Sequence, residues 1–144
     1  SPDATCTRAQ AVTFLYRASG SPAVSGNAAF TDVAADAYYA AAVTWAEKNG
    51  ITGGIGGGLF GSDQSCTRAQ IVTFLYRYAG QPSGYYSNPF KDVGATSEAS
   101  YYNAILWAVG KGITTGTSAT TFSPYASCNR AEAVTFLYRY TNGL

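Results

Sequence analysis

Cys6-Thr7-Arg8-Ala9-Gln10-Ala11-Val12-Thr13-Phe14-Leu15-Tyr16-Arg17 is written three times in this chain with small changes. It returns as Cys66-Thr67-Arg68-Ala69-Gln70-Ile71-Val72-Thr73-Phe74-Leu75-Tyr76-Arg77, and again as Cys128-Asn129-Arg130-Ala131-Glu132-Ala133-Val134-Thr135-Phe136-Leu137-Tyr138-Arg139. Copies this close define a repeat protein, in which each unit buries its apolar face against its neighbours. Each copy reads as a helix with its start written in. Thr7, Thr67 and Asn129 are N-cap residues, whose short side chains accept from free N–H groups of the first turn. Gln10, Gln70 and Glu132, three residues on, complete a capping box by reaching back to the cap's own N–H. In the first copy Ala9, Ala11, Val12, Phe14, Leu15, Tyr16 and Ala18 go most of the way round the helix, the pattern of burial on several sides. Gly20, Gly80 and Gly143 follow as stops.

All six arginines of the chain lie in these helices. Arg17, Arg77 and Arg139 stand near C-termini, where a cation suits the helix dipole. Arg8, Arg68 and Arg130 stand at the first helical position, the unfavourable end. Each is expected to cost about 0.3–1 kcal/mol unless an anion lies near it. An internal carboxylate or an anionic ligand would answer equally well, and the residues leave both open. The three cysteines share one repeat position, just before the cap. An odd count leaves at least one unpaired if disulfides form. The simpler reading is a small buried apolar plug closing each helix start. With no His and no Cys-x-x-Cys spacing, no metal site is expected, and no cofactor.

Outward from the long helices, Phe30-Thr31-Asp32-Val33 matches Phe90-Lys91-Asp92-Val93. A shorter, weakly amphipathic helix follows each, over Tyr38–Lys48 and Tyr101–Lys111, with Asp36 and Ser97 as starts. Gly50-Ile51-Thr52-Gly53-Gly54 matches Gly112-Ile113-Thr114-Thr115-Gly116. A glycine here fits a left-handed helix end, and the apolar residue after it returns to the core. Loops then run to Phe60 and Phe122. The glycine-rich stretch lacks the Gly-Lys-Ser/Thr ending and the preceding strand of a phosphate loop. Ser1–Cys6 lines up with Ser123–Cys128, with nothing ahead to match Phe122. Residues 1–22 therefore read as the C-terminal half of a repeat, and the chain is expected to come from something longer. The organisation is one all-α domain over 1–144, with a half-repeat at 1–22 and full repeats at 30–81 and 90–144.

Charged residues make up only 12% of the 144, about half the usual share, and the net charge is +1. That gives no electrostatic case for nucleic acid or an anionic membrane. No apolar run has the length of a membrane-spanning helix. Twelve tyrosines among many Ser, Thr, Asn and Gly residues suit carbohydrate contact, and equally core or rim packing. A glycosidase needs two carboxylates across a cleft, but the repeated acids here sit in turns or caps. There is no His for acid–base work and no nucleophile with a base beside it, so an enzyme is not expected.

The ordered set Phe30-x-Asp32-Val33, Trp45, Gly50-Ile51-x-x-Gly54, Phe60 and Thr67-Arg68-Ala69-Gln70 resembles the S-layer homology repeat. So does Phe90-x-Asp92-Val93, Trp107, Gly112-Ile113-x-x-Gly116, Phe122 and Asn129-Arg130-Ala131-Glu132. The resemblance covers nearly the whole chain. It implies a pseudo-threefold, spindle-like domain with a central three-helix bundle. It implies grooves between repeats that bind pyruvylated secondary cell-wall polysaccharide and hold a secreted bacterial protein on the cell wall or S-layer surface. The family's arginine contact carries over to Arg8, Arg68 and Arg130. A pyruvyl ketal carries a carboxylate, which a helix N-terminus and a forked arginine would hold. Asp32 and Asp92 either orient the arginines or serve turns. Trp45 and Trp107 either anchor the short helices or stack on sugar. Gly54 and Gly116 complete the candidate groove set. Departures are Gln for Glu in two copies, which keeps the cap but removes a negative charge near the groove; Asn129 for Thr; Cys at the position before the motif; and the missing first half-repeat. Three arginines therefore need not mean three sites. The alternative is a protein-interaction or self-assembly module, with a protein partner or homo-oligomer meeting Tyr38/Tyr39, Tyr85/Tyr86 and Tyr101/Tyr102.

Overall fold

The capping pattern forms as the sequence spells it. In the computed structural model, which describes residues 4–84, 86–94 and 99–142, the Thr7 and Thr67 hydroxyls accept from the N–H groups of Gln10 and Gln70, both at 3.1 Å. The glutamine side chains accept from the cap N–H groups in return, at 2.9 Å. Asn129 and Glu132 exchange the same pair of bonds, at 2.8 and 3.1 Å. These boxes start α1 (Arg8–Ala18), α3 (Arg68–Tyr78) and α5 (Arg130–Asn142). Gly20 and Gly80 follow the first two at φ +95° and +89°, a conformation costly to residues with a Cβ. Gly143, Ser97 and Tyr85 lie outside the described residues.

The shorter helices are α2 (Ala40–Lys48) and α4 (Ala99–Gly110). α2 begins four residues after Asp36, and its cap residue Tyr39 makes no side-chain capping bond. Asp36 is not the start because the chain there is held in turns, with Ala37 N–H donating to Ala34 and Ala40 N–H to Ala37. Ala42, Val43, Trp45 and Ala46 point inward, while Ala41 and Lys48 are exposed. Among the described residues the fold is all-α, with isolated bridges in place of strands.

α1, α3 and α5 meet one another in the centre; α2 lies on α1 and α4 on α3. The three helix starts close a ring. Cys6 N–H donates to the Cys128 carbonyl, Cys66 N–H to Cys6, and Cys128 N–H to Cys66, each at 2.8 Å. This cycle is the pseudo-threefold axis expressed in backbone bonds. Three segments of the chain converge here around small side chains, and all three cysteines are fully buried. Burial pushes the Cys6 thiol up to about 11 and the Cys128 thiol to about 12, so both stay protonated at neutral pH.

Candidate functional site

The arginines at the first helical position are the natural centre of any site. Arg8 and Arg68 are each only 4% exposed. Their Nε groups donate to the carbonyls of Phe60 and Phe122, both at 2.9 Å. Each guanidinium also sits against the same ring, 4.9 Å from Phe60 and 4.8 Å from Phe122. A ring face and a carbonyl together make up for the unfavourable helix end. Burial still lowers the Arg8 pKa from its ordinary value.

Asp32 and Asp92 grip the same two phenylalanines from the other side. The Asp32 carboxylate accepts from the N–H groups of Phe60 and Gly61, both at 2.8 Å. Asp92 accepts from Phe122 at 2.9 Å and Ser123 at 2.8 Å. Burial alone would raise these carboxyls; the backbone donors outweigh it and hold both below the ordinary value of 3.8. A depressed folded pKa gives stability that is complete above the unfolded value and lost as pH falls through the folded one. Stability is therefore expected to drop below about pH 4. In the double variant Asp32→Asn, Asp92→Asn the urea midpoint should be lower at pH 6 and much flatter between pH 2 and 4. A pH profile as steep as the parent's would mean that other groups drive acid unfolding.

The glycines are placed by the same phenylalanine pairs. A Cβ on Gly54, at φ +85°, would fall 2.5 Å from the Leu59 carbonyl and 2.6 Å from the Phe30 ring. On Gly116 it would fall 2.8 Å from both the Thr121 carbonyl and the Phe90 ring. Trp45 is packed between Tyr16 and Tyr78, and Trp107 between Tyr76 and Tyr140, with ring centroids 5.4 to 5.9 Å apart. At 7% and 2% exposure both tryptophans are core residues of the fold, and neither lines the groove described next.

Three arginines do not make three equal sites. Arg68 is engaged internally: its Nη1 meets Glu132 at 2.9 Å, and its Nη2 donates to Thr114 at 3.4 Å. Glu132 thus serves its own cap with one oxygen and the neighbouring repeat's arginine with the other. In the Arg8 groove the corresponding residue is Gln70, and Arg8 has no carboxylate partner among the described residues. This groove holds about 400 Å³ and contains a second cation, Arg77, with Thr52, Gly54, Tyr101 and Tyr125 on its walls and, among the described residues, no acid. Arg130 opens onto a smaller cavity of about 220 Å³ beside Gln10, Arg17 and Tyr38.

At the starts of α1 and α3 the helix N–H groups are not open to an anion. Arg8 N–H donates to Gln64, Ala9 N–H to Ser62, Arg68 N–H to Ala126 and Ala69 N–H to Pro124, at 2.9 to 3.2 Å. The third N–H of each helix is taken by its cap. The loop of the next repeat docks onto these donors, so a ligand in the groove meets the arginine side chain and not the helix-start N–H groups. The sequence assigns Arg77 only to the helix dipole and Tyr101 only to a partner contact, and does not single out Tyr125; their place in the groove is not legible there because they come from a different face of α3 and from elements far away in the chain. The pairing of Arg68 with Glu132 carried one visible signal, the Gln, Gln, Glu series at the third helical position.

A family model described as the S-layer homology domain matches residues 29–72 and 89–134, together more than half of the chain. A cell surface protein of Thermoanaerobacter kivui is 35% identical over 122 residues, spanning 76% of this chain and 15% of that protein. A middle cell wall protein of Brevibacillus brevis is 34% identical over 98 residues, spanning 65% of this chain and 9% of that protein. The chain thus spans a small part of the length of these relatives.

Proposed function

Because the chain belongs to the S-layer homology domain family, we propose that it is a non-catalytic module that anchors a bacterial protein at the cell surface by binding an anionic wall polysaccharide. The polymer's carboxylate, as in a pyruvylated sugar, enters the groove at Arg8. One observation carries this reading: a buried arginine, positioned by Phe60 and Asp32, opens on a groove with a second arginine and, among the described residues, no acid. Its terminal nitrogens form a planar fork that matches a carboxylate. Tyr101 and Tyr125, whose rings meet edge to face and whose hydroxyls bond each other, offer apolar ring surface beside that charge, a chemistry suited to a sugar ring. Both relatives are several times longer than this chain, which is in keeping with a module that holds a larger protein in place.

The test is co-sedimentation with purified cell-wall sacculi carrying pyruvylated polymer, before and after acid stripping of that polymer. Binding is expected to the first preparation and not to the second. Equal binding to both would move the contact to peptidoglycan, and no binding to either would count against wall anchoring by these residues.

A further inference from the structure

α1, the linker after it and α2 form the same assembly as α3, its linker and α4, so a position in one has a counterpart in the other. Counting back from Phe30 and Phe90, Gly26 corresponds to Tyr86. Counting on from Trp45 and Trp107, Lys48 corresponds to Gly110. Large and small have changed places between the two assemblies. In the first, the Lys48 ammonium stands 3.4 Å from where a Cβ on Gly26 would be. In the second, the Tyr86 ring lies on Gly110, where a Cβ would fall 2.2 Å from it. The same ring passes Gly84, where a Cβ would fall 3.1 Å away; the counterpart of Gly84 is Val24. Two glycines thus make room for one tyrosine ring, and the close approach at Gly110 admits no Cβ.

Beside that ring, between α3, the linker and α4, lies a cavity of about 330 Å³. The buried Trp107 and Leu106 form its floor, and Tyr76, Tyr86 and Tyr102 form its walls. Tyr76 ties the linker to α3 by donating its hydroxyl to the Pro82 carbonyl at 3.2 Å, and its ring stands 5.5 Å from that of Trp107. The exposed Gln81 and Asn103 complete the lining. Among the described residues, no charged side chain lines it. In the first assembly Gln81, Tyr102 and Asn103 are replaced by Ser21, Ala40 and Ala41. The same fold is therefore built once without these side chains and with a lysine across the linker, so packing does not demand them.

We propose that this cavity is a second binding site, one that takes an uncharged pyranose. Such a sugar presents a face of C–H groups and a rim of hydroxyls. The face packs on the tyrosine rings, and the hydroxyls pair with the amides of Gln81 and Asn103, each of which both donates and accepts. The volume is at the small end of ligand pockets, which run from about 300 to 1,000 Å³, and suits a single sugar unit. A carboxylate meets no cation here. The site shares no lining residue with the Arg8 groove and does not rest on the wall-anchoring reading.

The test is an NMR titration of the isotope-labelled chain with the methyl glycosides of glucose, galactose, mannose and N-acetylglucosamine. At least one is expected to give saturable shifts at the Trp107 indole N–H and the side-chain amides of Gln81 and Asn103. Asn103→Ala, at an exposed position, should weaken that binding about tenfold, the effect of one or two lost hydrogen bonds. Tyr86→Gly with Gly110→Lys copies the pair at positions 26 and 48; it should abolish the shifts while leaving Tm within about 5 °C. Gln70→Glu, which alters only the Arg8 groove, should leave the titration unchanged. Four results would each overturn the proposal: no saturation with any glycoside, shifts centred on the Arg8 groove or lost with Gln70→Glu, full binding by Asn103→Ala together with the double variant, or saturation of the cavity by a short polyproline peptide and by no sugar.

Discussion

Replacing Phe122 with alanine is expected to lower the unfolding free energy by about 3–5 kcal/mol. The ring is fully buried, lies 5.7 Å from the Phe90 ring, and faces the Arg68 guanidinium. Removing it opens a cavity where the loop after α4 meets α3. The backbone at this point is clamped by Asp92 on its N–H and Arg68 on its carbonyl. It cannot collapse inward without breaking charge-assisted bonds, which places the cost toward the upper end of the range. Set against a typical total of about 5–15 kcal/mol for a domain, the loss is a large fraction. Urea unfolding should show the midpoint falling with an unchanged slope. A loss below about 1.5 kcal/mol, or a separate early transition, would show that the half-repeat unfolds on its own and is not part of the cooperative core.

Much of this could be read from the sequence because the repeat compares the chain with itself. The long helices, their caps and the buried cysteines follow from Thr-x-x-Gln, the apolar pattern and the shared position before the cap. What could not be read is what crosses between repeats. The cyclic bonds of Cys6, Cys66 and Cys128, and the docking of Ser62 and Gln64 onto the start of α1, join residues more than 50 positions apart. No local pattern encodes them. The same contacts explain why the helix-start N–H groups, open in an isolated helix, are filled in the fold. Asp36 misled for a related reason: an Asx residue before a helix suits a turn as well as a cap, and the turn was formed. Trp45 and Trp107 could be read either way, since burial depends on the tyrosines of neighbouring helices that pack over them.

The exchange of a single amide for a carboxylate should decide whether the Arg8 groove is the working site. Glu132 pairs with Arg68, and Gln70 stands in the corresponding place for Arg8. Gln70→Glu therefore puts a carboxylate beside Arg8 while keeping the capping bond to Thr67, since Glu132 caps Asn129 in the same way. Sedimentation with wall sacculi is expected to weaken at least tenfold, because the polymer's carboxylate must now displace an internal one. Thermal stability should hold or rise slightly. Arg8→Ala should weaken binding further, by about 100-fold, which corresponds to about 2.7 kcal/mol and is in the range of one or two charge-assisted bonds. That variant also leaves the Phe60 carbonyl without its donor, so a loss of binding by it alone would be open to a structural explanation. Gln70→Glu removes that explanation, because it adds a partner and takes none away. Arg68→Ala, at a position already neutralised by Glu132, should change binding less than about threefold while costing stability through the unpaired carboxylate. If Arg68→Ala were the damaging change and Gln70→Glu harmless, the working groove would be the one at α5, with Glu132 as a group that yields to ligand.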